Sequence, residues 1–123
     1  MYEKCVVFGD IASAQKVLAT DDPQQQQAIG RNAMGYVDGV WAGMRQMVAM
    51  RALKAKFTQN ADLKDKLLAT GDAILVECAK TDRHWACGIG LYDKLRFDAK
   101  NWTGKNLLGF ALMEVRNLLM SNE

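Results

Sequence analysis

"NWTGKNLLGFALMEVRNLL", residues 101–119, joins an irregular segment to an amphipathic helix. In its second half, apolar side chains recur every three or four residues, which is typical of a helix packed on one face. Glu114 and Arg116 in this helix are expected to face solvent. The first half contains Trp102, Gly104 and Asn106, although one Ser, Thr, Asp or Asn would be enough to cap a helix. The additional residues therefore need an explanation beyond capping.

The composition predicts a single domain and excludes several classes of protein. The chain has 123 residues, 50% of them hydrophobic, with 16 Lys and Arg against 14 Asp and Glu. One core can form, and no basic run marks a sequence-independent nucleic-acid binder. Cys5, Cys78 and Cys87 form no Cys-x-x-Cys pair, so we expect free thiols and a cytoplasmic protein. No apolar stretch is long enough to span a membrane, and no signal-peptide pattern is present, so no membrane association is expected.

Apolar periodicity and capping residues predict a mostly helical chain. Besides a short N-terminal helix and the helix that follows Asn106, the predicted helices are Ile11 to Leu18, Pro23 to Ala33, Asp38 to Thr58 and Ala61 to Ala69. Gly71 is expected to end the last of these four in a left-handed conformation. The apolar run "AILVECA", residues 73–79, predicts one buried strand. The expected fold class is therefore mainly α with a small β component (α+β).

No periodicity is visible between Asp82 and Gly104. Irregular segments of more than about 15 residues within a domain are usually functional or disordered. Trp85 and Trp102 argue against disorder, because large aromatic side chains are costly to leave in water, and nearby glycines permit tight turns. The segment is interpreted as an ordered binding loop. The alternative is that its aromatics and glycines only attach it to the core.

Five motifs in the same order resemble the NADAR family, also called YbiA-like. Lys4 lies on the first helix, "IGRNA" follows at 29–33, and Trp41 begins the long helix. The fourth motif is "KFTQNADLKDKLLATGDAILVECAKTDRHW" (56–85), and the fifth is "WTGKNLLGFALMEVR" (102–116). The resemblance implies a single YbiA-like domain over residues 1–123.

This resemblance implies an N-glycosidase that cleaves a bond between a ribose carbon and a nitrogen. The family is associated with two substrate classes: phosphorylated ribosylamino-pyrimidine intermediates of riboflavin synthesis, and ADP-ribose attached to guanine in nucleic acid. The sequence does not choose between them. A non-catalytic module that binds ADP-ribose or a nucleotide is the alternative function.

Two residues are candidates for the chemistry. Breaking a ribose–nitrogen bond develops positive charge on the sugar and negative charge on the leaving nitrogen, so a carboxylate and a proton donor are needed. Asp82 matches the family's Asp-x-x-Trp motif, which implies that it is the carboxylate; a turn-capping aspartate is the alternative. Lys4 matches a family lysine and would act as a cation or as an amine that forms an imine with the opened ribose. An ordinary surface lysine is the alternative for Lys4.

The resemblance also implies a set of substrate-binding residues. They are Arg31, Trp41, Trp85, Gly88, Trp102, Asn106 and Gly109. Arg31 would contact phosphate or the base, and Trp41 and Trp85 would stack on a base, although Trp41 also fits a core position.

The expected role of Trp102, Gly104 and Asn106 is to shape a pocket wall. They would also direct the free N–H groups at the start of the last helix toward a phosphate. No metal ion or cofactor is expected, because His84 is the single histidine and has no ligand partners at suitable spacing.

The chain departs from the family pattern at its N-terminus, because relatives carry a Glu about two helical turns before the lysine that matches Lys4. The chain is then a truncated product, a protein that supplies the carboxylate from elsewhere, or a binder without catalysis. A homodimer, or a partner chain that covers the short N-terminus, is expected on the same ground.

Overall fold

A computed structural model describes residues 1–122 and contains six α-helices in that range. They are α1 (Tyr2–Val7), α2 (Ile11–Leu18), α3 (Pro23–Arg31), α4 (Asp38–Gln59), α5 (Ala61–Leu68) and α6 (Leu107–Ser121). Two short 3₁₀ turns, Lys94–Phe97 and Ala99–Asn101, precede α6. The four helices predicted with both ends have observed ends within two residues of the prediction. Within residues 1–122, no helix has both the length and the apolar composition needed to cross a membrane.

Local signals explain where α3 begins and where α5 ends. The Asp22 carboxylate accepts a hydrogen bond from the N–H of Gln24 at 2.9 Å, and Pro23 occupies the first turn of α3. Pro is favourable there because its missing N–H would have no partner within the helix. Gly71 has a φ of +59°, which confirms the left-handed conformation expected after α5.

The described chain divides into two compact units, Met1–Arg45 and the residues from Gln46 onward. In the first unit, α1, α2 and α3 enclose a small apolar core. Its buried side chains are Cys5, Ala14, Val17 and Ala33, with Ile29 packed against them. The single-domain organisation stays a prediction.

Asp10 connects two parts of the first unit. One carboxylate oxygen accepts the N–H of Ser13 at 3.1 Å and caps α2, while the other accepts the N–H of Met34 at 2.9 Å. Asp10 is buried, and these N–H groups, that of Met34 first, hold the pKa of its carboxyl below the ordinary value. The same side chain therefore begins a helix and fixes the chain 24 residues later.

In the second unit, α5 and α6 share a core. Its buried side chains are Leu67, Val115 and Leu119. Partly buried side chains from α4, α5, α6 and the segment after α5 pack against them: Met50, Leu53, Phe57, Leu68, Leu75 and Leu112. The residues of α4 in this list are Met50, Leu53 and Phe57, which continue the apolar spacing that predicted the helix.

Arg116 is buried, at 4% exposed, so the expectation that it faces solvent is wrong. Its Nη1 donates to the Thr70 hydroxyl at 2.8 Å and to the carbonyl oxygen of Ala73 at 2.9 Å. The guanidinium therefore holds the turn after α5 against α6. Glu114, by contrast, is exposed as expected.

The predicted strand at 73–79 is wrong, because these residues are irregular and no strand is present among residues 1–122. A strand requires a neighbouring strand with which to form a ladder of backbone hydrogen bonds. Here the carbonyl oxygen of Glu77 accepts from the N–H of Cys87 at 2.9 Å, whereas the N–H of Glu77 donates to the side chain of Asn106. A loop and an amide side chain thus replace the second strand, and the described fold is mainly α without the β component.

We expect the hydrogen bonds of Asp10 to make the stability of the protein depend on pH. A pKa lowered by folding stabilises the protein above the ordinary value of 3.8, and this stabilisation is lost as the pH falls through the lower folded value. Asp10→Asn should therefore lower the urea midpoint at about pH 6, where the ionised carboxylate is missing, and the difference from the unchanged protein should shrink toward about pH 2.

The matched control is Asp21→Asn, an exposed aspartate in the same unit, which should have little effect at either pH. An equal loss of stability for Asp10→Asn at both pH values would contradict the assignment.

Candidate functional site

The entrance of α6 is built around the side chain of Asn106. Asn106 is fully buried and adopts the left-handed conformation, with φ 51° and ψ 38°, which Asn tolerates better than most residues. Its Oδ1 accepts the N–H of Glu77 at 2.9 Å, and its Nδ2 donates to the carbonyl oxygen of Leu75 at 3.0 Å. The amide therefore binds the 75–77 backbone as a neighbouring strand would.

Gly109, in the first turn of α6, permits this close approach. A Cβ at this position would collide with the carbonyl oxygen of Leu75 and would lie 2.5 Å from Nδ2 of Asn106. Both atoms belong to the hydrogen bond just described, so neither can move without breaking it. The Asn-x-x-Gly spacing of the fifth motif thus has a packing explanation.

Backbone carbonyls of residues 83–86 surround the same entrance. They accept hydrogen bonds from four consecutive N–H groups at 2.9–3.1 Å, in the pairs Lys105 to Arg83, Asn106 to Ala86, Leu107 to His84 and Leu108 to Trp85. The first two helical N–H groups of α6 are those of Leu107 and Leu108, and both are therefore occupied. These two N–H groups are not free donors for a phosphate, because the loop supplies their capping oxygens. The phosphate contact at the start of α6 stays a prediction.

Asp82 lies at the start of this loop and is half-buried. Its Oδ1 accepts the N–H groups of His84 and Trp85, each at 2.9 Å. This is the turn geometry that the alternative interpretation of Asp82 predicted. Both bonds use the same oxygen, so within residues 1–122 Oδ2 keeps its lone pairs for an external partner.

The loop from 82 to 104 is ordered by specific contacts. The indole Nε1 of Trp102 donates to the carbonyl oxygen of Arg96 at 2.9 Å. Gly88 has a φ of +78°, and a Cβ there would also collide with the hydroxyl of Thr103. At Gly104, a Cβ would lie 2.9 Å from the backbone of Arg83, so only glycine fits. The prediction of an ordered loop is confirmed. Trp102, Gly88 and Gly104 have structural roles in this loop whatever they bind.

In the first unit, Lys4 of α1 lies beside two aromatic rings. Its half-buried side chain places Nζ 4.6 Å from the ring centroid of Tyr36 and 5.7 Å from that of Trp41, in the first turn of α4. Cation–π contacts of this kind are made by the charged ammonium group. The structure thus brings Lys4 and Trp41 together, and this geometry fits a cation better than an amine nucleophile.

Tyr36 is a neighbour of Lys4 that the sequence did not single out. Its hydroxyl donates to Oδ1 of Asp38 at 2.8 Å, and this bond raises the pKa of the phenol above its ordinary value. Phe8 packs edge-on against the same ring, with centroids 5.3 Å apart. The available signal was an aromatic residue between Gly35 and Gly39, where the chain enters α4, but such positions more often only connect helices.

The predicted site residues fall into two sets, one in each unit. The first unit carries Lys4, Trp41 and Arg31, which lies exposed in the last turn of α3. The second unit carries the others: Asp82, Trp85, Gly88, Trp102, Asn106 and Gly109. In residues 1–122, no three His, Cys, Asp or Glu side chains are placed to hold a metal ion, and the metal-free site stays a prediction.

Together these features define a helical protein in which a loop containing tryptophan and glycine is hydrogen-bonded to the entrance of the last helix. The chain belongs to the NADAR domain family, whose model matches residues 1–120. The family resemblance of the five motifs is therefore confirmed.

Several named proteins are similar to this chain over most of its length. N-glycosidase R617 of Acanthamoeba polyphaga mimivirus is 29% identical over 116 residues, which are 94% of this chain and 68% of that protein. Protein irg-1 of Caenorhabditis elegans is 32% identical over 125 residues, covering 100% of this chain and 59% of the relative. N-glycosidase YbiA of Shigella boydii is 33% identical over 118 residues, covering 96% and 67%. The chain thus spans about two thirds or less of the length of these relatives.

We expect removal of the Asn106 amide to destabilise the second unit strongly. Asn106→Ala leaves the N–H of Glu77 and the carbonyl of Leu75 without partners and places Ala in a left-handed conformation. Both hydrogen bonds are partly buried, and a buried group left unpaired costs about 1–3 kcal/mol, so the loss should be about 2 kcal/mol in urea unfolding followed by circular dichroism.

Asn117→Ala is the matched control, because Asn117 is exposed on the same helix and Ala favours helices. Equal stability of the two variants would show that the Asn106 hydrogen bonds contribute nothing.

Proposed function

We propose that this protein is an N-glycosidase that hydrolyses a ribose–nitrogen bond. Support comes from its family and from relatives that are named N-glycosidases. The observation that carries the proposal is the state of Asp82, whose carboxylate is held in place through one oxygen while the other is available. A catalytic carboxylate requires this combination of fixed position and free lone pairs.

The proposed role of Asp82 is electrostatic. As the carbon–nitrogen bond breaks, positive charge develops on the ribose, and Oδ2 would stabilise it. The nitrogen leaves with the electron pair of the broken bond and takes up a proton, while the oxygen of a water molecule bonds to the anomeric carbon and loses a proton, so the products are the free base and the ribose hydroxyl. Trp85, held to Asp82 through its own N–H, is the proposed stacking surface for the leaving base.

Lys4 remains the second proposed catalytic residue, on the basis of its own surroundings. Its ammonium group lies against the faces of Tyr36 and Trp41, so a cationic role toward a phosphate or the leaving nitrogen is the one we propose. Arg31, exposed in the last turn of α3, is proposed to contact phosphate.

Two substrate classes are proposed, as implied by the family: a phosphorylated ribosylamino-pyrimidine and ADP-ribosylated guanine. Both present a ribose–nitrogen bond next to a planar base and phosphate groups. A cytoplasmic setting belongs to the same proposal and is supported by the free thiols of Cys5, Cys78 and Cys87.

The second candidate is a binding module for ADP-ribose or a nucleotide that does not turn over its ligand. The observation that favours it is also at Asp82. The two hydrogen bonds of this carboxylate are those expected of an aspartate that only stabilises a turn. The two functions differ in whether the base is released.

Asp82→Asn separates the two functions. The amide oxygen of Asn can accept the same two N–H groups and keep the turn, but it removes the negative charge. We expect the unchanged protein to release the base from at least one of the two substrates, detected by chromatography, and the variant to lose about a hundredfold or more in rate while retaining binding.

The matched control is Asp22→Asn, which makes the same exchange at an aspartate that accepts one backbone N–H at the start of α3. Its rate should equal that of the unchanged protein. Full turnover by Asp82→Asn would remove Asp82 from the mechanism, and saturable ADP-ribose binding by the unchanged protein with no release from either substrate would favour the module.

A further inference from the structure

Two aromatic side chains in the segment between Asp82 and α6 are largely exposed to solvent. In the segment Leu91–Lys105, here called the 91–105 loop, Tyr92 is 91% exposed and Phe97 is 77% exposed. Leu91 and Leu95 beside them are also more than half exposed. Single exposed apolar residues are common, but four in seven residues form the kind of patch that marks an interaction surface.

The exposure is imposed by an ordered backbone. The carboxylate of Asp93 accepts the N–H of Leu95 at 2.9 Å, and that of Asp98 accepts the N–H of Lys100 at 3.0 Å. Each bond begins one of the two 3₁₀ turns. The indole of Trp102 then fixes the carbonyl of Arg96. Polar groups of the loop thus hold its apolar side chains outward, and a partner would bind a preformed surface at low entropic cost.

Arg96 and Phe97 form a stacked pair within this surface. The guanidinium carbon lies 4.2 Å from the ring centroid, and Nη1 donates to the carbonyl oxygen of Asp93 at 2.9 Å, which holds the group in place. One face of the Phe97 ring is therefore covered by a cation. The ring as a whole stays largely exposed and offers a planar surface to a partner.

The net positive charge of the chain is concentrated on the same loop. The loop contains four of the 16 cations, Lys94, Arg96, Lys100 and Lys105, and two of the 14 acids. The remaining residues carry twelve of each, so the net charge of +2 belongs entirely to these fifteen residues. The cations are spaced by other residues, which is why the sequence shows no basic run.

We propose that the 91–105 loop binds single-stranded nucleic acid. Unpaired bases would stack on Tyr92 and Phe97, while Lys94, Lys100 and Lys105 would contact the phosphates. A duplex hides its base faces, so it fits the exposed rings less well. An acidic protein segment would use the cations but has no planar groups for both rings. ADP-ribosylated guanine in nucleic acid is one of the two proposed substrates, so a role of the loop in holding that substrate rests on the proposed function. Binding of an unmodified strand requires no bond cleavage, so it is tested independently of base release.

The proposal is tested by fluorescence anisotropy with an unmodified, labelled single-stranded oligonucleotide at about 50 mM salt. We expect saturable binding that Tyr92→Ala and Phe97→Ala each weaken about tenfold. In the double variant with Lys94→Gln and Lys100→Gln, the slope of log affinity against log salt should fall by about 1.4, because each phosphate contact to a single strand contributes about 0.7.

The controls are matched in exposure and type. Met34→Ala removes a side chain that is 75% exposed in the first unit, and Lys54→Gln removes an exposed cation of α4. Both should bind as the unchanged protein does, and all variants should keep its circular dichroism spectrum. Absence of saturable binding, unchanged affinity in Tyr92→Ala and Phe97→Ala, or tighter binding of duplex or of a polyglutamate peptide would each overturn the proposal.

Discussion

The buried amide of Asn106 is the interaction on which the second unit depends most. It holds the backbone at Leu75 and Glu77 from one side, while the carbonyls of residues 83–86 take the N–H groups of residues 105–108 from the other. Two segments that precede the start of α6 by about 20 to 30 residues therefore meet it at Asn106. Because a buried amide without partners is costly, the segments stay together or separate together.

This arrangement changes how the family signature is understood. Asn106, Gly109 and Gly104 are the residues that make the motif recognisable, and each has a packing or hydrogen-bonding reason to be present. Their presence is evidence for the fold. The proposed chemistry needs a group that the fold positions but leaves without a partner, and Asp82 meets this condition, because its Oδ1 accepts two N–H groups while Oδ2 accepts none within residues 1–122. A chain can thus keep the signature and lose the activity.

Helices were predictable from the sequence because their signals are local. The Asp22–Pro23 start of α3 and the left-handed Gly71 depend on neighbours within a few residues. The error at 73–79 has the opposite origin, since an apolar run does not reveal that its partner is an amide about 30 residues away. Arg116 was misassigned for the same reason: its partners, Thr70 and Ala73, are more than 40 residues distant. In the candidate site, the loop was predictable from its Trp and Gly content, whereas the pairing of Lys4 with two aromatic rings required the tertiary structure.

Native-state hydrogen exchange tests the central role of Asn106 most directly. The N–H groups of Glu77, Cys87, Leu107 and Leu108 all belong to the network around its side chain, although they lie in irregular segments or at a helix start. If the network opens as one structure, these four amides should be strongly protected and should exchange with the same free energy of opening. Rapid exchange at Glu77 while the interior of α6 remains protected would contradict the account.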